Sequence, residues 1–133
     1  MKTEIRINYH HTDAIGIVYH GSYLNFLEGS RMELLEAKGI AVKDMHEKGK
    51  YFVIKAFKAD YKNPARYGDI ITCETKINKI TAAQIYFSQM IFNKLNRKLL
   101  VDSEVVLVVV NKYLKPILLP KKVDLLLREE MEV

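Results

Sequence analysis

Residues 9–21 concentrate aromatic and ionisable side chains, with two glycines among them. These residues are Tyr9, His10, His11, Asp13, Tyr19 and His20, and the glycines are Gly16 and Gly21. A carboxylate can attack an electrophilic carbon or take a proton from water, and an imidazole can orient water or substrate. Asp13 is the only carboxylate in this stretch, so the residue types make it the first candidate for catalysis.

Two other interpretations of these residues remain open at this point. An aspartate shortly before a helix is commonly a cap or turn residue. Alternatively, three histidines and Asp13 could be ligands of a metal ion. Adjacent histidines at a strand end point to opposite sides, and no His-x-x-x-His pair follows on the helix, so the spacing favours a site without metal.

The loop leads into a long amphipathic helix pattern that runs to Lys38. Its apolar residues recur at three- and four-residue steps. They are Tyr23, Leu24, Phe26, Leu27, Leu34, Leu35 and Ala37, and Gly39 follows as a natural stop. Free N–H groups and the positive end of the helix dipole should face whatever binds beside the loop.

Gly29 and Ser30 interrupt the middle of this helix pattern and lower its helix propensity. They suit a place where the backbone of a strand approaches the helix closely. A glycine that is merely tolerated is the other explanation.

The remaining patterns are mostly those of strands. Strands are predicted at Lys2–Tyr9, Tyr51–Tyr61, Asp69–Lys79, Gln84–Asn93 and Leu99–Asn111, with a short connection at Ala41–Lys50 and a short helix from Pro120 through Glu132. One long helix with a largely consecutive set of strands indicates an α+β fold in which a curled antiparallel sheet wraps around the helix. The length of 133 residues indicates one domain over 1–133.

The last predicted strand contains an unbroken apolar run, Val105 to Val110. Such a run indicates a strand that is covered on both faces. Since one helix covers only one face of the sheet, the outward side of this strand should form an exposed apolar row that marks an interface. We therefore expect a homo-oligomer, either a dimer or a tetramer.

The composition narrows the functional class. A formal net charge of +5 favours an anionic partner, but no basic run interleaved with aromatics indicates nucleic acid, so a phosphate-bearing small molecule fits better. No apolar run reaches membrane-spanning length, and we predict a protein without a membrane span. A single cysteine, Cys73, and an N-terminus without a signal peptide suit the cytoplasm.

The run from Tyr9 to Leu24, with the segment Asp-x-x-Gly-x-Val-Tyr-His from Asp13 to His20, resembles the signature of hot-dog-fold thioesterases. The resemblance is to the 4-hydroxybenzoyl-CoA thioesterase group and especially its short acyl-CoA thioesterase branch (YbgC-like). Further matches are Glu28 and Arg31, the segment Tyr61 to Asp69, and Lys115 to Pro120.

This resemblance implies hydrolysis of acyl-CoA thioesters without a metal or other cofactor. Asp13 matches the catalytic carboxylate, as nucleophile or general base, and Tyr9 and His20 match its partners. The backbone N–H of His20 is expected to hold the oxyanion. Gly16 and Tyr23 should contact the substrate, and Arg66 and Lys79 are candidates for the phosphates of CoA.

Two other functions compete with this one. The substrate could be a thioester of acyl carrier protein, or the chain could be a catalytically silent hot-dog module that binds acyl-CoA or acts as a scaffold. The resemblance also implies a dimer with its sheets joined edge to edge and active sites built from both subunits.

Overall fold

A computed structural model describes residues 1–131 of the chain. In chain order its elements are β1 (Lys2–Arg6), a single 3₁₀ turn (Tyr9–His11), α1 (His20–Ala37), α2 (Val42–Glu47), β2 (Tyr51–Tyr61), β3 (Ile70–Ile80), β4 (Gln84–Asn93), β5 (Leu99–Val110) and α3 (Lys121–Met131). The predicted end of α3, Glu132, lies outside the described residues.

The five strands form one antiparallel sheet in the order β1-β3-β4-β5-β2. The consecutive strands β3, β4 and β5 form its centre. The two outer positions go to β1, which has five residues, and to β2, which has eleven. The predicted α+β architecture is therefore confirmed.

The first strand is shorter than the predicted Lys2–Tyr9 because the chain turns at residue 8. The N–H of Asn8 donates to His11 Nδ1 at 2.8 Å, and the N–H of His11 donates to the Asn8 carbonyl at 3.0 Å. These local bonds wind Tyr9–His11 into the 3₁₀ turn and carry the chain away from the sheet.

One face of α1 packs against the sheet. Its buried residues are Tyr23, Phe26, Leu27, Ser30, Arg31, Leu34 and Leu35. Leu24, predicted to belong to the apolar stripe, is exposed. The core beneath the helix contains Phe87, Val105 and Leu107 in one group and Ile71, Cys73 and Ile91 in another.

Gly29 and Ser30, which interrupt the apolar pattern of α1, have different surroundings in the structure. The expectation of a close strand at Gly29 is wrong, because nothing lies within 4 Å of the place where its Cβ would stand. Ser30 does meet a strand, since its hydroxyl hydrogen-bonds Thr3 Oγ1 of β1 at 2.7 Å.

The expected exposed apolar row on β5 is absent from the structure. Val105, Leu107 and Val109 face the core, but on the other side Val106 is only partly exposed, and Val108 and Val110 are 8% and 2% exposed. Val108 lies between Val53 of β2 and Gln84 of β4, and Val110 pairs with Pro116 of the segment that follows β5. Local neighbours therefore cover this side of the strand.

Exposed apolar side chains are found instead on β2, where Ile54, Phe57 and Tyr61 are exposed. Within residues 1–131 this strand pairs only with β5, so its other edge has no partner strand. A long apolar strand with a free edge is a ready template for pairing with another chain.

Candidate active site

Asp13 stands in a tight turn that fixes its side chain. Its N–H donates to the Ile17 carbonyl at 2.8 Å, and its own carbonyl accepts from Gly16 at 3.1 Å. Gly16 has a φ of +83°, a left-handed conformation that glycine adopts without a steric cost. The Asp13 carboxylate accepts the N–H of Ile15 through Oδ1 at 2.9 Å. Asp13 is thus a turn residue whose side chain is also exposed for chemistry.

Contacts with two other segments hold this turn beside the start of α1. The N–H of Val18 donates to the Ala65 carbonyl at 2.8 Å, and Ile17 pairs with Arg66. The His11 carbonyl accepts both the N–H of Tyr19 at 2.9 Å and the hydroxyl of Ser22 at 3.1 Å. The loop and the first helical turn are therefore one hydrogen-bonded unit.

The first turn of α1 presents backbone donors. The N–H groups of His20 and Gly21 have no hydrogen-bond partner among the described residues. A Cβ at Gly21 would stand 2.5 Å from Cε2 of the exposed Tyr19 ring, so a larger residue there would displace that ring. Two amide donors at a helix start, close to a carboxylate loop, form a geometry that can stabilise developing negative charge.

Aromatic rings surround the start of the helix. The His20 ring lies 4.4 Å from the Tyr19 ring and 6.5 Å from the Tyr61 ring, measured between centroids. Tyr23 is buried, its ring is 5.7 Å from that of Tyr61, and burial raises the pKa of its hydroxyl. Tyr61 thus connects β2 with the site. The sequence did not indicate this role, because the position of Tyr61 is equally typical of the end of a strand.

Tyr9 and His11 take different positions in the loop. Tyr9 is 81% exposed and makes an edge contact with the Tyr67 ring at 6.0 Å. The His11 ring packs edge-on against Phe26 at 4.8 Å, and desolvation, with a smaller effect of His10, lowers its pKa. His11 is therefore a structural member of the loop, while Tyr9 lines its outside.

The two predicted phosphate ligands stand at opposite ends of β3. Arg66 precedes the strand, with its N–H bonded to Asp69 Oδ2 at 2.9 Å, and it lines an open cleft of about 790 Å³ with Lys94, Arg97 and Lys98. Lys79 is at the other end, where its Nζ lies 5.3 Å from the centroid of the Tyr86 ring. Nine residues of strand separate positions 70 and 79 by roughly 30 Å, so a single chain does not bring Arg66 and Lys79 together.

Two features considered from the sequence were a metal site and a membrane-spanning segment. Within residues 1–131, no group of three or more histidine, cysteine, aspartate or glutamate side chains could hold a metal ion. None of the helices in the described part of the chain has both the length and the apolarity that crossing a membrane requires.

A curled antiparallel sheet on one long helix, with a carboxylate loop at the start of that helix, is the architecture of the hot-dog thioesterases. The chain belongs to the thioesterase superfamily, whose family model matches residues 15–100. The resemblance seen in the sequence is therefore confirmed.

Individual relatives agree with this assignment. The chain is 34% identical to the acyl-CoA thioester hydrolase YbgC of Escherichia coli O157:H7, over 90% of this chain and 89% of that protein. It is 32% identical to the acyl-CoA thioesterase YbgC of Haemophilus influenzae, over 90% of this chain and 88% of that protein. The crystal structure of Slr0204, a 1,4-dihydroxy-2-naphthoyl-CoA thioesterase from Synechocystis, superposes with a TM-score of 0.90 at 18% identity, covering 96% of this chain and 95% of that one.

Proposed function

We propose that this thioesterase hydrolyses acyl-CoA, so that water and the thioester give a carboxylic acid and the free thiol of CoA. The observation that carries the proposal is the exposed Asp13 carboxylate, oriented by the Ile15 N–H in the hydrogen-bonded loop that leads into the unpartnered amides at the start of α1. The likeness to the YbgC acyl-CoA thioester hydrolases supports the choice of substrate.

Asp13 acts in one of two ways. As a nucleophile, it attacks the thioester carbonyl, the carbon–sulfur bond breaks to release CoA thiolate, and water then hydrolyses the mixed anhydride. As a general base, it takes a proton from water while the water oxygen attacks the same carbon, and the thiolate leaves. In both routes the N–H of His20 stabilises the oxyanion.

The other loop residues position the reactants. The His20 ring orients water or the acyl group, and Tyr9 lines the entrance. Gly16 gives the turn its shape, and Tyr23 forms a wall of the acyl site with Tyr61. After single turnover in H₂¹⁸O, label in the peptide that contains Asp13 establishes the anhydride route, because the general-base route places label only in the released acid.

The CoA nucleotide is assigned to the open cleft beside Arg66. Arg97 and Lys98 add positive charge there, next to Lys94, which forms an ion pair with Glu4, and guanidinium groups suit phosphate oxygens. Lys79 is too far along β3 to join the same site within one chain, so its proposed phosphate contact is to CoA held by a neighbouring copy.

We further propose that the protein forms at least a dimer and that the free edges of two β2 strands pair. The support is the exposed apolar character of this edge and the contact of Tyr61 with His20, which places the edge beside the site. A tetramer would be built from two such dimers. Residues 1–133 act as one domain in the cytoplasm, where the single buried cysteine is stable as a free thiol.

A thiol-release assay over a panel of acyl-CoA and acyl carrier protein thioesters tests the function. We expect release from acyl-CoA, and its loss in Asp13→Asn, with Asp102→Asn on β5 as a matched control that retains activity. Release of thiol only from acyl carrier protein thioesters would show that these, and not acyl-CoA, are the substrates. Binding of acyl-CoA without release would overturn the enzymatic proposal for this chain.

A further inference from the structure

The middle of α1 contains a buried charge that the proposed chemistry does not use. Arg31 is 3% exposed, and its Nη1 donates to Gln89 Oε1 at 2.9 Å. Its Nε is buried and has no hydrogen-bond partner among the described residues, and none of their carboxylates forms an ion pair with it. A guanidinium stays protonated in proteins and has five N–H donors, so this one is left largely unsatisfied.

Gln89 cannot turn to satisfy the rest of the guanidinium. Its Nε2 donates to the Leu27 carbonyl at 2.9 Å and to Thr75 Oγ1 at 3.0 Å. Its backbone carbonyl accepts the hydroxyl of Ser103 at 2.9 Å. The side chain is therefore fixed between helix and sheet, and it holds Arg31 from one side only.

Arg31 lines a cavity of about 200 Å³ between α1, α2, β2 and β5. Its apolar wall comes from Met32, Phe52, Ile54 and Leu107. A cavity of roughly 150 Å³ with apolar walls holds a molecule the size of benzene. The space beside Arg31 therefore suits the end of an acyl group of several carbon atoms.

This cavity lies on the same side of α1 as the proposed catalytic site. Arg31 follows His20 by eleven residues, which places it about 16 Å along the helix and only about 20° around it. Helical side chains lean toward the N-terminus, so the guanidinium reaches back toward the proposed oxyanion site. An acyl group held at His20 can therefore extend toward Arg31.

We infer that Arg31 selects acyl groups that end in a carboxylate, which enter this cavity and pair with the unsatisfied side of the guanidinium. The inference rests on the proposed function and assigns its substrate class. Such a carboxylate accepts hydrogen bonds from Nη2, the guanidinium nitrogen that is neither bonded to Gln89 nor fully buried, and neutralises a charge that otherwise has no ion-pair partner among the described residues. The apolar wall holds the methylene groups that precede it.

Glu28 is the nearest competing partner, because it lies three residues before Arg31 and also lines the cavity. Its side chain is exposed, and it forms no ion pair with Arg31 in the structure. Glu28 therefore attracts the guanidinium without a direct hydrogen bond, and the carboxylate of a ligand can take the direct contact.

The test compares thioesters that differ only at the far end of the chain. We expect kcat/KM for dodecanedioyl-CoA and tetradecanedioyl-CoA, whose extended chains match the distance to Arg31, to exceed that for dodecanoyl-CoA and tetradecanoyl-CoA by about 10- to 100-fold, in keeping with a buried charge-assisted pair. Arg31→Met should remove this ratio while the methyl-ended substrates are still hydrolysed, and Arg31→Lys should keep part of it. Arg128→Met, on the exposed side of α3, is the control for loss of one positive charge.

Other results overturn the inference. A kcat/KM ratio near one between the carboxylate-ended and methyl-ended substrates in the wild-type protein would show that Arg31 pairs with Glu28 in a structural role. A preference for carboxylate-ended substrates that appears only in Glu28→Gln would show the same. An equal loss of kcat/KM for both substrate types in a folded Arg31→Met would also assign Arg31 a structural role. If Arg31→Met does not fold, the wild-type ratio and Arg31→Lys decide. If no thioester is hydrolysed, the proposed function fails, and calorimetric binding of dodecanedioate against dodecanoate still tests the site.

Discussion

The carboxylate of Asp13 accepts the backbone N–H of Ile15 through Oδ1 at 2.9 Å. An asparagine can accept the same bond through its own Oδ1, so Asp13→Asn removes the charge and keeps the turn. We expect kcat for acyl-CoA hydrolysis to fall by roughly 10²- to 10⁴-fold, as for loss of a general base. Thermal unfolding should change little, and a folded variant that keeps most of its kcat would remove Asp13 from the chemistry.

His20→Ala should cost less than Asp13→Asn. The proposed oxyanion donor is the backbone N–H of His20, which survives the substitution, and only the ring is lost. We expect a decrease of about 10-fold in kcat, smaller than for a lost backbone donor. Steady-state kinetics of the two variants side by side check this, and an equal loss would place the imidazole directly in the reaction.

Arg66→Ala should raise KM for acyl-CoA by roughly 3- to 10-fold with little effect on kcat, because it removes a phosphate contact outside the reacting centre. The effect should be larger at low salt, where charges are less screened. The matched measurement uses the N-acetylcysteamine thioester of the same acyl group, whose KM should not change. The same experiment on Lys79→Ala tests its assignment to a neighbouring copy, since mixed oligomers of Lys79→Ala and Arg66→Ala subunits should contain sites that keep both residues and the wild-type KM.

Phe57→Lys should weaken the assembly. The side chain is 36% exposed on the free edge strand β2, away from the cavity beside Arg31, and a lysine there opposes pairing of two like edges. Sedimentation should show a shift toward monomer, with activity falling as the oligomer dissociates. Leu118→Lys, which alters an exposed leucine in the segment before α3, is the control. A fully active wild-type monomer would contradict both the edge pairing and a site shared between subunits.

Stability should fall as the pH drops below about 6.5, the ordinary pKa of histidine. Desolvation lowers the pKa of His11, and its Nδ1 accepts the N–H of Asn8 only while unprotonated. The unfolded chain then binds a proton that the folded chain resists, so this contribution is complete above the unfolded pKa and is lost as the pH falls through the folded one. Calorimetry from pH 7.5 to 5 should show a smaller loss in His11→Gln than in wild type.

The sequence anticipated the elements whose periodicity is strong. The helix pattern from residue 20, the strands β2 to β5 and the Asp13 loop all lie close to where the patterns placed them. It did not anticipate the turn at Asn8, which depends on one imidazole nitrogen, or the cover of Val108, which depends on residues from two other strands.

Arg31 illustrates both what could be predicted from the sequence and what could not. It stands four residues after Leu27 and four before Leu35, on the apolar stripe of α1, and that spacing was a signal of burial. Its missing counter-charge was invisible, because the absence of a partner is a property of the whole folded chain.

The position of Cys73 has a practical consequence for kinetics. It is the only cysteine, it lies at the centre of the sheet on β3, and desolvation raises the pKa of its thiol. Thiolates are the species that react with alkylating and disulfide reagents. The folded protein should thus give no background signal in thiol-reagent assays of released CoA. The rate of any slow labelling of Cys73 would then measure how often the sheet opens.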